Sequence, residues 1–284
     1  MDKKAKVARL SIISNSFLII LKFIAGIMSG SVSIISEAIH SFMDLIASVI
    51  AFIAVRISGK SPDEQHPYGH GKVENVSGVT EAFLIFIAAA WIIYEAINKF
   101  FNNEHIENIG IGASVMLISG IINFIVSRRL YKVAKETDSV ALEADALHLK
   151  TDVYTSIGVG IGLILIKITG FHLLDPIIAI IVALIILRES YKLLRKAFNP
   201  LLDSSISEDE IEMIISELNK LKVKYHHLRT RKAGPYKFAD MHIEMPESLT
   251  LKEVHQKCDH IESQLKKTIS DLDVNIHVEP QSKP

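Results

Sequence analysis

Two histidine–aspartate pairs stand inside long apolar stretches of this 284-residue sequence. The first pair is His40 and Asp44, and the second is His148 and Asp152. Each pair has a spacing of four residues, so a helix would place both side chains on one face. Charged groups inside a bilayer are costly unless they are paired or functional. Two imidazoles and two carboxylates are the ligands that a tetrahedral Zn²⁺ takes. The repeated pair therefore predicts an intramembrane metal site, with interhelical hydrogen bonds or a proton relay as the alternatives.

A polar segment after the second apolar stretch holds a second candidate site. Asp63, His66 and His70 lie close together in the sequence, and Gly69 and Gly71 give the backbone between them its freedom. These three side chains could fold around an ion. The alternative is a polar cytosolic loop whose histidines are solvated.

A third set of candidate ligands lies near the end of the chain. Alternation along two predicted strands places His242 on the polar face of one and His277 with Glu279 on the polar face of the other. A cluster of imidazoles with one carboxylate suits one or two Zn²⁺ ions, and the alternative is an exposed, histidine-rich sheet face. The candidate ligands are His226, His242, His255, His277 and Glu279.

The elements that must position these groups begin with six apolar stretches. Hydrophobic residues make up 49% of the sequence and the mean hydropathy is +0.30, above the usual balance of soluble proteins. Each stretch is long enough to cross a hydrocarbon core about 30 Å thick. The predicted spans are Val7–Met28, Val32–Ile57, Val73–Phe100, Ile109–Tyr131, Val140–Thr169 and Pro176–Leu194.

Basic residues set the expected orientation in the membrane. Lysines and arginines concentrate before the first span, after the second, after the fourth and after the sixth, whereas the opposite side carries Lys99, with Lys167 near a helix end. Positive flanks face the cytoplasm. We therefore expect a multi-pass protein of the cell (inner) membrane with both termini in the cytoplasm.

The chain changes character after residue 200. Residues 1–200 are expected to form the membrane domain and residues 201–284 a cytosolic domain of order α-β-β-α-β. Capping boxes predict helix starts at Ser207 and Thr250. The predicted strands are Lys222–Lys232, Tyr236–Met245 and Asp273–Glu279.

Composition excludes several classes. Cys258 is the only cysteine, so an intramolecular disulfide is impossible and a thiolate metal site is nearly excluded. Neither the net charge of −1 nor any basic patch with aromatics indicates nucleic acid. No P-loop or phosphorylated-aspartate domain is visible, so we expect a carrier rather than an ATP-driven pump or an enzyme. A membrane-bound zinc sensor is the chief alternative, but it would need only the cytosolic cluster.

Several motifs together carry a family resemblance. Glu37–Asp44, His66–Glu74 and Asp145–Asp152 look like those of a cation diffusion facilitator, and Leu228–Pro235 and Ile276–Pro280 match as well. The likeness covers essentially the whole chain. Within the family, the sequence is similar to the bacterial zinc and iron efflux branch.

The resemblance implies a homodimer that exchanges a divalent metal, most simply Zn²⁺, for protons. Each protomer would have six spans and a metallochaperone-like (ferredoxin-like) cytosolic domain. The resemblance assigns His40, Asp44, His148 and Asp152 to the transport site. It assigns Asp63, His66 and His70 to a loop site. It assigns His226, His242, His255, His277 and Glu279 to a regulatory binuclear site between cytosolic domains.

Two positions depart from the branch that the chain most resembles. His40 stands where Asp is common, which favours zinc over iron or cadmium, and Glu279 stands where Asp is usual. Carriers of Mn²⁺, Fe²⁺ or Cd²⁺ stay open as alternatives, since harder ions prefer oxygen-rich sites.

Overall fold

The computed structural model describes residues 3–29, 32–101, 110–169 and 174–281, and its chain divides into two compact units. The first unit spans Met1–Phe198 and the second Asn199–Pro284.

Long helices form the described part of the first unit. Each has 25 to 30 residues, a length of about 38–45 Å at 1.5 Å per residue. The helices are α1 Lys3–Ser29, α2 Val32–Ser58, α3 Lys72–Phe101, α4 Gly110–Thr137, α5 Val140–Thr169 and α6 Leu174–Phe198. Within the described ranges, Lys3–Ala25 and Lys72–Asn98 are long and apolar enough to cross a membrane by length and composition alone. The number of spans stays a prediction.

The first unit has large apolar side chains on its surface and small ones between its helices. Ile87 and Trp91 are each 65% exposed, whereas Ala47 and Ala144 are fully buried. At Gly78 an added Cβ would lie 2.8 Å from Val140 Cγ1, so α3 and α5 approach too closely for a side chain there. This arrangement is typical of helices that pack through small residues and face lipid.

The second unit has the predicted α-β-β-α-β order. The unit begins with a 3₁₀ turn at Asn199–Leu202. Its elements are α7 Glu208–Lys220, β1 Tyr225–Ala233, β2 Tyr236–Met245, α8 Leu251–Thr268 and β3 Leu272–Pro280. The sheet order is β1-β2-β3, with β1 antiparallel and β3 parallel to the central β2. This confirms the predicted helix-on-sheet fold.

One apolar core holds the two helices of this unit against one face of the sheet. Ile214 of α7, Leu265 of α8 and Met241 of β2 are almost fully buried in it. Both predicted capping boxes are present, at Ser207 and Thr250. The opposite face of the sheet carries the candidate ligands of the strands, which are His226, His242, His277 and Glu279.

Candidate metal sites

The membrane site is built from the facing surfaces of α2 and α5. His148 Nε2 lies 2.9 Å from Asp44 Oδ1, although 104 positions separate the two residues. Asp44 is 4% and His148 9% exposed. His40 lies in α2 as well, but its side chain is outside the part of the chain that the structure describes.

Asp152 lies one turn beyond His148 on α5. Its Oδ2 accepts a hydrogen bond of 3.2 Å from Asn123 Nδ2 on α4. Asp152 interacts electrostatically with His148, but Asp44, His148 and Asp152 do not form a described group whose ligand atoms all lie within 4.8 Å of one another. Two of the four expected donors are therefore in contact, and a third, Asp152, is hydrogen-bonded to a neighbouring helix.

A buried network anchors the same two helices to α1. Ser48 Oγ donates to Asp145 Oδ1 at 2.9 Å and accepts from Asn15 Nδ2 at 2.8 Å. Ser48 Oγ also lies 2.9 Å from Ser11 Oγ. The sequence analysis did not single out these residues. The available signal was their spacing, because Ser11 and Asn15, like Asp44 and Ser48, are four positions apart on one helix.

A further carboxyl group is buried in the helical unit. Glu81 of α3 is fully buried, accepts a 3.3 Å hydrogen bond from Ser77 Oγ, and interacts electrostatically with Asp145 and His148. Acidic groups thus surround the Asp44–His148 pair from α3 and α5.

The loop residues come together as a compact trio. Asp63 Oδ1 lies 3.2 Å from His66 Nδ1, and Asp63 Oδ2 lies 3.2 Å from His70 Nε2. The turn closes through Gly69, which has a φ of +81°, a conformation that glycine adopts freely. The backbone hydrogen bond from His66 holds the pKa of the Asp63 carboxyl below its usual value. An ionised carboxylate beside two imidazoles can bind a divalent ion.

The C-terminal ligands form a row across the polar face of the sheet. Strand register pairs His226 with His242, and His242 with His277. Glu279 lies beside them, with Oε2 3.1 Å from His226 Nε2 and Oε1 2.9 Å from His242 Nδ1. The hydrogen bond from His242 lowers the pKa of the Glu279 carboxyl. Among the described residues, His226, His242 and Glu279 are close enough to share one ion.

The other two expected C-terminal ligands are less closely placed. His277 Nε2 lies 3.8 Å from Glu279 Oε1, and its ring centroid is 4.7 Å from that of His242. His255 lies on α8 and pairs with Asp259 at 3.5 Å. Neither belongs to the group that could share one ion. His227, which was not among the expected ligands, has its ring 5.2 Å from that of His242.

Family models match both units of the chain. Residues 8–202 match the cation efflux transmembrane domain. Residues 204–281 match the cytoplasmic domain of cation efflux proteins (ZT_dimer). Together these matches cover nearly the whole sequence.

Individual relatives are similar along most of their length. The cation-efflux pump FieF of Yersinia enterocolitica is 32% identical over 93% of this chain and 89% of its own. The manganese efflux system protein MneP of Bacillus subtilis is 31% identical over 97% of this chain and 95% of its own. The metal-bound C-terminal domain of the CzcD transporter from Thermotoga maritima is 31% identical, covers 26% of this chain and 94% of its own, and has a TM-score of 0.25.

Proposed function

The chain belongs to the cation diffusion facilitator (cation efflux) family of membrane transporters, and from that premise we propose that it exports Zn²⁺ in exchange for protons. A helical transmembrane domain is followed by an α+β cytosolic domain, and the family exports divalent cations. The choice of zinc, the coupling to protons and the individual ligands are our proposal.

The contact between Asp44 and His148 carries this proposal. It joins the two helices whose histidine–aspartate pairs are expected to bind the ion, and it lies in a buried position where charged groups need a partner. Imidazole nitrogen suits zinc better than it suits Mn²⁺ or Mg²⁺. With His40 as the second imidazole and Asp152 as the second carboxylate, the donor set is that of a tetrahedral zinc site.

Competition for the same atoms would couple metal to protons. The hydrogen bond between Asp44 and His148 uses Oδ1 and Nε2, the atoms that would bind the ion. A proton shared by this pair and a metal ion therefore exclude each other. Zinc arriving from the cytosol would displace protons, and protons entering from the other side would release the zinc.

Transport also requires the donors to converge. Asp152 is held by Asn123 of α4, so loading would draw Asp152 from this hydrogen bond towards the Asp44–His148 pair. A movement of α5 against α2 and α4 that completes the site on one side and opens it on the other is alternating access. The orientation that we propose places both termini in the cytoplasm.

The remaining clusters would serve entry and regulation. Asp63, His66 and His70 would bind an ion in the cytosolic loop between α2 and α3. The sheet cluster of His226, His242 and Glu279, with His255 and His277, would bind regulatory zinc in a homodimer. An ion that binds one conformation more tightly shifts the population towards it.

A manganese carrier is the second candidate within the family. It is favoured by the 31% identity to a protein named as a manganese efflux system and by the buried oxygen donors of Glu81 and Asp145 near the proposed site. A non-transporting zinc sensor is the candidate outside transport. It would need the cytosolic cluster alone.

Transport assays in sealed proteoliposomes with a pH gradient distinguish the zinc exporter, the manganese carrier and the zinc sensor. Purified wild-type protein should accumulate Zn²⁺ against competition from Mn²⁺, Fe²⁺ and Cd²⁺, and collapse of the pH gradient should stop the accumulation. Asp44→Asn keeps the side-chain size but removes the charge, and it should abolish the flux. Glu189→Gln is the control, because Glu189 is paired with Lys192 at the surface. A preference for Mn²⁺ would select the manganese carrier, and zinc binding without flux would select the sensor.

A further inference from the structure

The backbone of β1 is irregular at His227. Its φ is +52°, a left-handed conformation that is uncommon for residues other than glycine. The register with β2 shifts between His226 and Arg229. Two residues of β1, His227 and Leu228, stand opposite a single residue of β2, which defines a β-bulge.

The bulge changes which way His227 faces. Successive residues of a regular strand point to opposite faces, so the neighbour of His226 would belong with the core. Here Leu228 packs against the core instead, and His227 is exposed. The ring centroid of His227 lies 5.1 Å from that of His226 and 5.2 Å from that of His242.

The three imidazoles form a nearly equilateral triangle. The ring centroids of His226 and His242 are also 5.2 Å apart. For three imidazoles on a tetrahedral Zn²⁺, a Zn–N bond of about 2.0–2.1 Å and a nitrogen-to-centroid distance of about 1.1 Å put neighbouring ring centroids about 5.2 Å apart. All three sides of the triangle match this separation.

A carboxylate already stands at the same place. Glu279 reaches His226 through Oε2 at 3.1 Å and His242 through Oε1 at 2.9 Å. The ligand atoms of His226, His242 and Glu279 lie within 4.8 Å of one another. His227 is outside that group, so its ring would have to turn for its nitrogen to complete a set of four zinc donors. The set comes from one sheet face of a single protomer.

We propose that His227 is a zinc ligand, and that His226, His227, His242 and Glu279 bind one ion on the sheet of each cytosolic domain. The inference rests on the proposed function, in which this face binds zinc. It adds a third nitrogen donor, which makes the site selective for zinc over harder ions such as Mn²⁺. His277, on the far side of His242 in the row, is left available to a second ion.

A purely structural bulge gives a different expectation. Histidine is among the residues that are found in the left-handed region more often than most, so the bulge alone could account for it. Glycine adopts this conformation without steric cost. Replacement of His227 by glycine would then stabilise the domain and leave its zinc affinity unchanged. If His227 is a ligand, the same replacement still removes the backbone strain at position 227 but weakens zinc binding.

The test uses the full chain purified in detergent and titrated with Zn²⁺. Diethylpyrocarbonate modifies accessible imidazoles, and mass spectrometry of the fragments resolves His226 from His227. Zinc should protect His227 with the same half-saturation as His226 and His242. The exposed His260 of α8 should label at a constant rate.

Two glycine variants provide the comparison. His227→Gly should raise the zinc concentration needed to protect His242 by at least about tenfold. Lys222→Gly relieves a second left-handed residue, with a φ of +54°, and should leave zinc protection unchanged. Neither variant should melt at a lower temperature without metal, so a loss of zinc binding in His227→Gly is not a folding defect.

The outcomes separate the inference from the proposed function. Protection of His226 and His242 without protection of His227, and unchanged binding by His227→Gly, would overturn the inference and leave the regulatory site standing. If zinc protects none of these histidines, the cytosolic site itself is wrong and the inference falls with it.

Discussion

Replacement of Ser48 by alanine tests whether the buried network supports the membrane site. Ser48 is fully buried, and its hydroxyl contacts Ser11, Asn15 and Asp145 at 2.8–2.9 Å. The change would remove the connection between α1, α2 and α5 that lies one turn from Asp44. It would also take away the described hydrogen bond to Asp145 Oδ1.

Ser48→Ala is expected to lower the free energy of unfolding by about 3 kcal/mol. Hydrogen bonds between membrane helices average about 0.6 kcal/mol and reach about 1.7 kcal/mol. The bond to the Asp145 carboxyl is assigned the upper value, because this carboxyl is fully buried. The bonds to Asn15 and Ser11 are assigned the average. For a unit of this size, the melting temperature should fall by roughly 6–12 °C.

Thermal unfolding in detergent and zinc uptake by proteoliposomes measure the two effects. Because Asp145 lies three residues before His148, loss of its anchor should also raise the zinc concentration for half-maximal uptake by about tenfold. Ser16→Ala is the matched control, since the Ser16 hydroxyl bonds to the Ile12 carbonyl of its own helix. If Ser48→Ala melts and transports like Ser16→Ala, the network does not support the site.

Four shorter predictions follow from the same geometry. Asp152→Ala should abolish zinc flux in proteoliposomes while zinc binding to the cytosolic unit persists; unchanged flux would remove Asp152 from the site. His40→Asp exchanges a nitrogen for an oxygen ligand and should relax discrimination against Mn²⁺, Fe²⁺ and Cd²⁺, which an unaltered ranking in competition assays would contradict. Maleimide should label Cys258 only after spheroplasts are permeabilised. Labelling should be slow at neutral pH, since burial raises the pKa of the Cys258 thiol, and the labelling rate should continue to rise into alkaline solution. The cytosolic unit from Ser204 onward should fold without metal, because its core is apolar, and zinc should raise its melting temperature, an effect that replacing His242 and His277 together should remove.

Features that depend on local sequence could be predicted. The capping boxes at Ser207 and Thr250 and the alternation along Tyr236–Met245 agree with the structure. The four-residue spacings from His40 to Asp44 and from His148 to Asp152 are local features in the same sense. The start of β1 was predicted three residues early, because Lys222 takes a left-handed φ of +54° after the end of α7.

Features that depend on contacts between elements could not. No pattern within α1 or α2 reveals that Ser48 meets a carboxyl 97 positions away, and none reveals that Asn123 of α4 holds Asp152. Such partners are determined by how the helices pack. Because small residues occur at many positions along these helices, the sequence is compatible with several packings. The polar residues of α1 were therefore left unassigned.

The bulge in β1 shows why a regular period can mislead at a functional site. Strict alternation assigns His226 and His227 to opposite faces, and one inserted residue moves His227 to the side of His226. The alternation of apolar and polar residues does not reveal such an insertion. The regular and the bulged pairing of β1 with β2 place the same apolar residues on the core face up to the bulge. A backbone conformation that disfavours most side chains persists where the surrounding structure imposes it. At His227 the neighbouring rings are those of His226 and His242, at centroid distances of 5.1 and 5.2 Å, so the exception to the pattern stands beside the proposed zinc site.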